Sequence, residues 1–202
     1  MLVKKYYIFG VINRAKFAAM SGHHLILGEL NDFITGRTLK DTHDERYRQK
    51  IARLLVNRKG YFHSDIEPRK DLPVQAGVKR AVVKIDFLIN LNGRICMIVK
   101  YAPGSLVTRR RPVLAASRIL APYQIPVAVV TNGEDAEVLD GATGKVLAVG
   151  LENIPSKSKL QNIAGRTKLS AIPPQRAAIE SRIVYCYEVD DSCVCDEDIC
   201  RL

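Results

Sequence analysis

The run from Val82 to Tyr101, VVKIDFLINLNGRICMIVKY, constrains the fold more than any other part of the chain. It is the most apolar stretch, yet Asp86 sits between Ile85 and Phe87, and Lys100 closes Ile98-Val99-Lys100. Asn90-Leu91-Asn92-Gly93-Arg94 supplies residues that accept the positive φ of a hairpin turn. The pattern predicts two strands, over 82–90 and 94–101, joined as a hairpin. Apolar residues on both faces mark them as central strands covered on both sides. A charge in such a place must be paired, hydrated or bound to metal. An Asp and a Lys on adjacent core strands therefore demand a common explanation.

The flanking sequence completes a domain around that hairpin. Residues 1–40 read as an N-terminal extension, with short elements at Tyr6-Tyr7-Ile8-Phe9 and around His23-His24-Leu25-Ile26-Leu27. On one strand His23 and His24 point to opposite faces, which favours packing or surface roles over metal binding. Thr42-His43-Asp44-Glu45 fits a capping box, with Thr42 as N-cap and Glu45 at the third helical position. Tyr47, Ile51, Leu54 and Leu55 then form a helical core stripe, while Glu45 aligns with Gln49 and Ala52. Residues 61–81 read as a loop and an irregular strand. After the hairpin a helix is predicted from Thr108, with Pro112 in or just past its first turn, where proline costs little. A buried strand over Ile125–Val130 and a second hairpin around Asp140–Gly144 follow. This order describes an α/β domain with a mixed central β-sheet flanked by helices, spanning 41–155. Residues 156–202 read as a basic helical segment ending in an acidic, cysteine-containing tail.

Charge points to a partner. The last 15 residues hold six acids and one base, which leaves 30 Lys+Arg against 15 Asp+Glu in residues 1–187. A basic body favours a polyanion, nucleic acid first. Arg109-Arg110-Arg111 opens a helix at the end where the dipole disfavours cations. Phosphate contact and a solvated face are the two readings of that triplet, and Lys84 adds charge near the hairpin. No apolar run reaches the roughly 18–20 residues of a membrane helix. Segment 1–20 lacks a clean apolar core, so neither a signal peptide nor a membrane partner is expected, and the cytoplasm is the expected compartment. Cys186, Cys193, Cys195 and Cys200 gather near the end, and Cys96 lies alone in the hairpin. The four would offer thiolates to zinc or an iron–sulfur cluster; a flexible acidic tail or a disulfide formed on oxidation is the other reading.

From His24 to about Pro155 the chain resembles the N-terminal nuclease domain of type I restriction endonuclease R subunits, within the PD-(D/E)XK nuclease superfamily. The matching pieces are Glu45-Arg46-Tyr47-Arg48-Gln49-Lys50, Lys84-Ile85-Asp86-Phe87, Met97-Ile98-Val99-Lys100 and Val127-Ala128-Val129-Val130-Thr131-Asn132-Gly133. The resemblance implies a restriction-endonuclease-like fold, DNA as partner, further subunits or a homo-oligomer, and Mg²⁺-dependent phosphodiester hydrolysis. Carried over, Asp86 would be the metal-ligand aspartate, Lys100 the catalytic lysine, and Glu45 the helix carboxylate approaching the metal. Lys84 and Arg109 to Arg111 would hold phosphates. The chain departs from the pattern at one place: the acidic residue expected two positions before the lysine is Ile98. Two readings stay open, a nuclease with a carboxylate supplied from elsewhere and a non-catalytic DNA-binding or assembly module on the same fold.

Strand register separates a shared site from a coincidence. A two-residue Asn92-Gly93 turn would pair Leu91 with Arg94 and put Asp86 and Lys100 on opposite faces. A three-residue Leu91-Asn92-Gly93 loop would pair Asn90 with Arg94 and Asp86 with Ile98, and bring the two charges to one face. The second register is expected.

Overall fold

A computed structural model describes residues 25–189 of the chain. A two-stranded antiparallel ribbon opens it, β1 (Gly28–Asn31) with β2 (Thr38–Asp41). Helix α1 (His43–Asn57) follows directly, and Thr42 Oγ1 accepts from Glu45 N–H at 3.1 Å as the cap sequence requires. Three strands come next: β3 (Ile66–Ala76), β4 (Lys79–Leu91) and β5 (Arg94–Tyr101). Helix α2 (Leu106–Ile119) leads to β6 (Val127–Thr131), then β7 (Ala136–Asp140) and β8 (Val146–Val149). Helices α3 (Lys157–Arg166) and α4 (Pro174–Glu188) finish the described chain. The six strands β3 to β8 lie in sequence order in one sheet, with β5–β6 the parallel pair and the rest antiparallel. The parallel pair exists because α2 crosses between its strands.

Each face of the sheet is covered by two helices. Ile51, Ala52 and Leu55 of α1 and Leu160 of α3 join Phe87, Ile89, Val99 and Val129 in one core. Val113 and Ala116 of α2 and Val184 of α4 join Ile85, Leu88, Ile98 and Val130 in the other. Central strands buried on both faces explain the near-continuous apolar runs. Leu160 and Val184 are almost fully buried, so α3 and α4 each add to a core of the sheet. The buried carboxylate of Glu180 fixes α4 to α2: Arg111 and Arg118 of α2 reach it at 2.6 and 2.8 Å, and Arg176 of α4 at 2.5 Å.

Three local expectations change. Residues expected as loop and irregular strand before the hairpin form the eleven-residue β3, in spite of Pro68 and Pro73. β3 is the sheet's edge, where a missing N–H is tolerated. Helix α2 starts at Leu106, whose side chain is buried, so Pro112 lies inside the helix. The β4–β5 hairpin turns through two residues, Asn92 (φ 52°) and Gly93 (φ 74°), and pairs Leu91 with Arg94. Both residues accept left-handed φ, which suits the tight turn matched to strand twist. The register then slips: Asn90 faces Ile95, but Ile89 faces Met97, so Cys96 is an extra residue on β5. This bulge carries the ladder to Leu88–Ile98 and Phe87–Val99. Asp86 and Lys100 are the next residues along, and they share a face through a two-residue turn plus a bulge instead of a longer loop.

Burial pushes the Glu180 carboxyl up, but the hydrogen bonds from Arg111, Arg176 and Arg118 outweigh it and hold it below its ordinary 4.5. A depressed carboxyl contributes stability that is fully present above its unfolded pKa and is lost as pH falls through the folded value. Thermal unfolding followed by circular dichroism should show stability falling below about pH 4.5, with Glu180→Gln flattening part of that acid limb.

Candidate functional site

Asp86 lies where β4 changes its facing. Val83, Ile85 and Leu88 all point into the α2/α4 core, whereas Phe87 and Ile89 point to α1, so strict alternation breaks at 86. Opposite it, between the pairs Pro68–Phe87 and Lys70–Ile85, stands Arg69 with a positive φ of 54°. A non-glycine residue held there marks a locally over-determined backbone. The irregularity lets the Asp86 side chain reach groups from both sides of the sheet.

Both Asp86 oxygens are taken by the protein. Arg48 of α1 donates Nε–H to Oδ1 at 2.6 Å, and the Tyr101 backbone N–H donates to Oδ2 at 2.7 Å. Lys100 Nζ stands 3.9 Å from Oδ2. Arg48 also approaches Glu45 Oε2 at 3.7 Å and lies over the Tyr101 ring, 5.2 Å from its centroid. Burial works against the Arg48 charge, but Asp86, then Glu45 and Asp44, outweigh it and raise the guanidinium pKa. Tyr101 is held in turn by Asp44, which accepts from its hydroxyl at 3.1 Å, and burial pushes that phenol up.

The pairing continues outward in both directions. Glu45 Oε1 accepts from Gln49 at 2.8 Å and from Arg69 at 2.5 Å. Arg69 also pairs with Asp32, whose Oδ1 accepts the backbone N–H groups of Ile34 and Thr35. On the other side Lys100 Nζ donates to the Lys84 carbonyl at 2.9 Å and meets Glu188 Oε2 of α4 at 3.2 Å. The result is a chain of alternating charges, Asp32–Arg69–Glu45–Arg48–Asp86–Lys100–Glu188. It links the β1–β2 ribbon, α1, the sheet and the end of α4.

Every residue carried by the resemblance is thus placed. Asp86, Lys100 and Glu45 come together, and Glu45 reaches inward from the helix instead of closing a reciprocal cap. Ile98 is fully buried among Leu88, Val130 and other apolar side chains of the α2/α4 core. The remaining nearby acids are engaged on the surface, Glu67 with Lys70 at 2.8 Å and Asp71 with Lys84 at 3.1 Å. A Mg²⁺ ion wants several oxygens in octahedral array. Here Asp86 and Glu45 offer oxygens already committed to donors, a guanidinium lies within 4 Å of both, and the third position is an isoleucine. This donor set does not fit the ion. Among the described residues no group of three or more His, Cys, Asp or Glu is placed to hold a metal.

The other predicted residues are dispersed. Arg110 is forked onto Glu137, Arg111 Nη2 lies 2.6 Å from Glu180 Oε2 in an ion pair, and Arg109 lies 3.4 Å from the Tyr187 carbonyl. The triplet therefore does not converge on one phosphate; the cations at the start of α2 are favoured by carboxylates of β7 and α4. Lys84 is exposed and paired with Asp71. Cys186 is exposed on α4, and Cys96 is buried at the bulge, where burial pushes its thiol up. His23, His24, Tyr6 to Phe9, Cys193, Cys195 and Cys200 lie outside the described residues. The residues missed from sequence are Asp32, Arg48, Arg69, Tyr101 and Glu188. Arg48 and Gln49 carry a usable signal, being three and four residues after Glu45 on its helix face. The rest are joined by tertiary contact alone.

The mixed sheet places an Asp and a Lys on neighbouring central strands with a helix carboxylate beside them. The N terminus of the type I restriction enzyme R protein matches residues 43–155, more than half of the sequence, and the chain belongs to that family. Comparison with curated proteins and with solved structures gave no match.

Removing one partner of a buried ion pair leaves an uncompensated charge, at a cost of about 3 kcal/mol or more. Arg48→Met should therefore destabilise the protein strongly in urea unfolding. The double variant Arg48→Met/Asp86→Leu should recover part of the loss, since both charges leave together.

Proposed function

We propose that this chain is a DNA-contacting module of the restriction-nuclease fold, in which the former nuclease centre is a structural ion-pair network. The observation that carries the reading is the state of Asp86. Its oxygens are hydrogen-bonded to Arg48 and the Tyr101 N–H at 2.6 and 2.7 Å, and the position that would supply the second acidic ligand is the buried Ile98. A carboxylate that must bind a cation during turnover gains nothing from a guanidinium clamped on it. Lys100, shared between Asp86 and Glu188, is likewise engaged in holding β5 to α4 rather than free to meet a phosphate. The family supports DNA as the polymer, and the net charge of +10 supports a polyanion.

Plasmid and linear DNA incubated with Mg²⁺ or Mn²⁺ should stay uncut at the level of Asp86→Ala and Lys100→Ala controls. The same protein should retard duplex DNA in a salt-dependent manner. Metal-dependent cleavage that disappears in both variants would overturn the reading in favour of a working nuclease.

A further inference from the structure

Residues 153–179 carry five cations, Lys157, Lys159, Arg166, Lys168 and Arg176, and contain no Asp or Glu. Lys157 meets Asp65 at 2.6 Å and Arg176 meets Glu180 at 2.5 Å. Helix α3 buries Leu160 against the α1 side of the sheet and leaves Lys159, Gln161, Asn162 and Arg166 exposed. It abuts the end of α1, where Lys157 N–H donates to the Lys59 carbonyl at 2.8 Å. Lys59 feels both Arg58 and Lys159: burial lowers its pKa first, and those two cations lower it further against Glu152. Arg58, Lys159 and Arg166 have no ion pair among the described residues.

A groove runs between this helix and the hairpin turn. Asn92 and Arg94 line one wall, Gln161 and Gly165 the other, with Leu91 and Cys96 along it. Its polar lining is amide or cationic, and no carboxylate contributes. Nothing lies within 4 Å of where a Cβ on Gly165 would stand, so the wall is open to a bulky partner. Nearby, Phe62 is 66% exposed, with Lys157 Nζ 3.7 Å from its ring centroid. Lys159 and Arg166 lie seven residues apart on one face of α3, about 10 Å along the axis. That is roughly the rise of three nucleotides along one strand of a duplex.

We propose that the exposed face of α3, with the C-terminal end of α1 and the β4–β5 turn, is the surface that docks the phosphodiester backbone of duplex DNA. The inference rests on the DNA-contacting reading above and moves the contact away from Asp86, onto a helix beyond the residues matched to the family. Phosphates supply anions for Arg58, Lys159 and Arg166, and Gln161, Asn162 and Asn92 supply donors to phosphate oxygens. Binding here is read through backbone charge and carries no base specificity.

The test is fluorescence anisotropy of a labelled duplex with the full chain, titrated between about 50 and 200 mM salt. Lys159→Glu/Arg166→Glu should weaken binding at least tenfold and make the slope of log K against log salt shallower by about 2. Lys145→Glu, an equally exposed cation on the β7–β8 turn, should change both far less, and unfolding curves of all three proteins should coincide. Unchanged affinity in the double variant, with the wild type binding, overturns the α3 surface alone. No duplex binding by the wild type even at the lowest salt overturns the DNA-contacting reading itself. Binding confined to single strands or RNA overturns the assignment to duplex DNA.

Discussion

The hydrogen-bonded ion pair between Arg48 and Asp86 is the contact on which the rest of this structure turns. It joins the helix on one face of the sheet to a strand at the middle of it, and it is one link in a run of seven alternating charges. Charges taken out of water cost several kcal/mol each unless they are paired and hydrogen-bonded. Here each member is satisfied by the next, by a backbone N–H, or by both. The N-terminal ribbon and the last turn of α4 are thereby keyed to the sheet through polar geometry, not through apolar packing alone. Such a network contributes less to net stability than to fixing one arrangement of its elements.

The same pairing bears on chemistry. A nuclease centre needs carboxylate oxygens that stay available to a cation and a lysine free to meet the developing charge. This fold keeps an Asp, a Lys and a Glu in contact order but occupies each with a protein partner. The buried Ile98 matters for the same reason. An acid at 98 would stand on the Lys100 face; an isoleucine extends the α2/α4 core up to that point. The buried Ile98 and the ion-pair network around Asp86 both leave the centre without free carboxylate oxygens.

Much of this was legible in the chain. The double-faced apolar runs specify central strands, the Thr42 cap starts α1 where expected, and the parallel pair follows from a strand–helix–strand order. The meeting of Asp86 with Lys100 was expected, but by the wrong route. Side-chain alternation handles a turn length and does not foresee a bulge, because the extra residue Cys96 is chosen by how Met97, Ile98 and Val99 must face their two cores. Arg69 and Asp32 were illegible for a different reason: they reach Glu45 only through a positive-φ residue on β3 and a ribbon 37 residues away in sequence from Arg69. Glu188 read as the start of an acidic tail, since nothing local says that α4 folds back to place it on Lys100. The pairing of the arginine triplet was not legible, because a run of like charges on a helix hides the carboxylates, Glu137 and Glu180, that meet Arg110 and Arg111 in space.

The most direct measurement is Mn²⁺ binding followed by electron paramagnetic resonance, on the wild type and on Asp86→Asn. If Arg48 and the Tyr101 N–H hold Asp86, the two proteins should bind Mn²⁺ alike, weakly and without a saturable site at that position. A single saturable ion in the wild type that vanishes in Asp86→Asn would contradict the account and return the centre to metal chemistry.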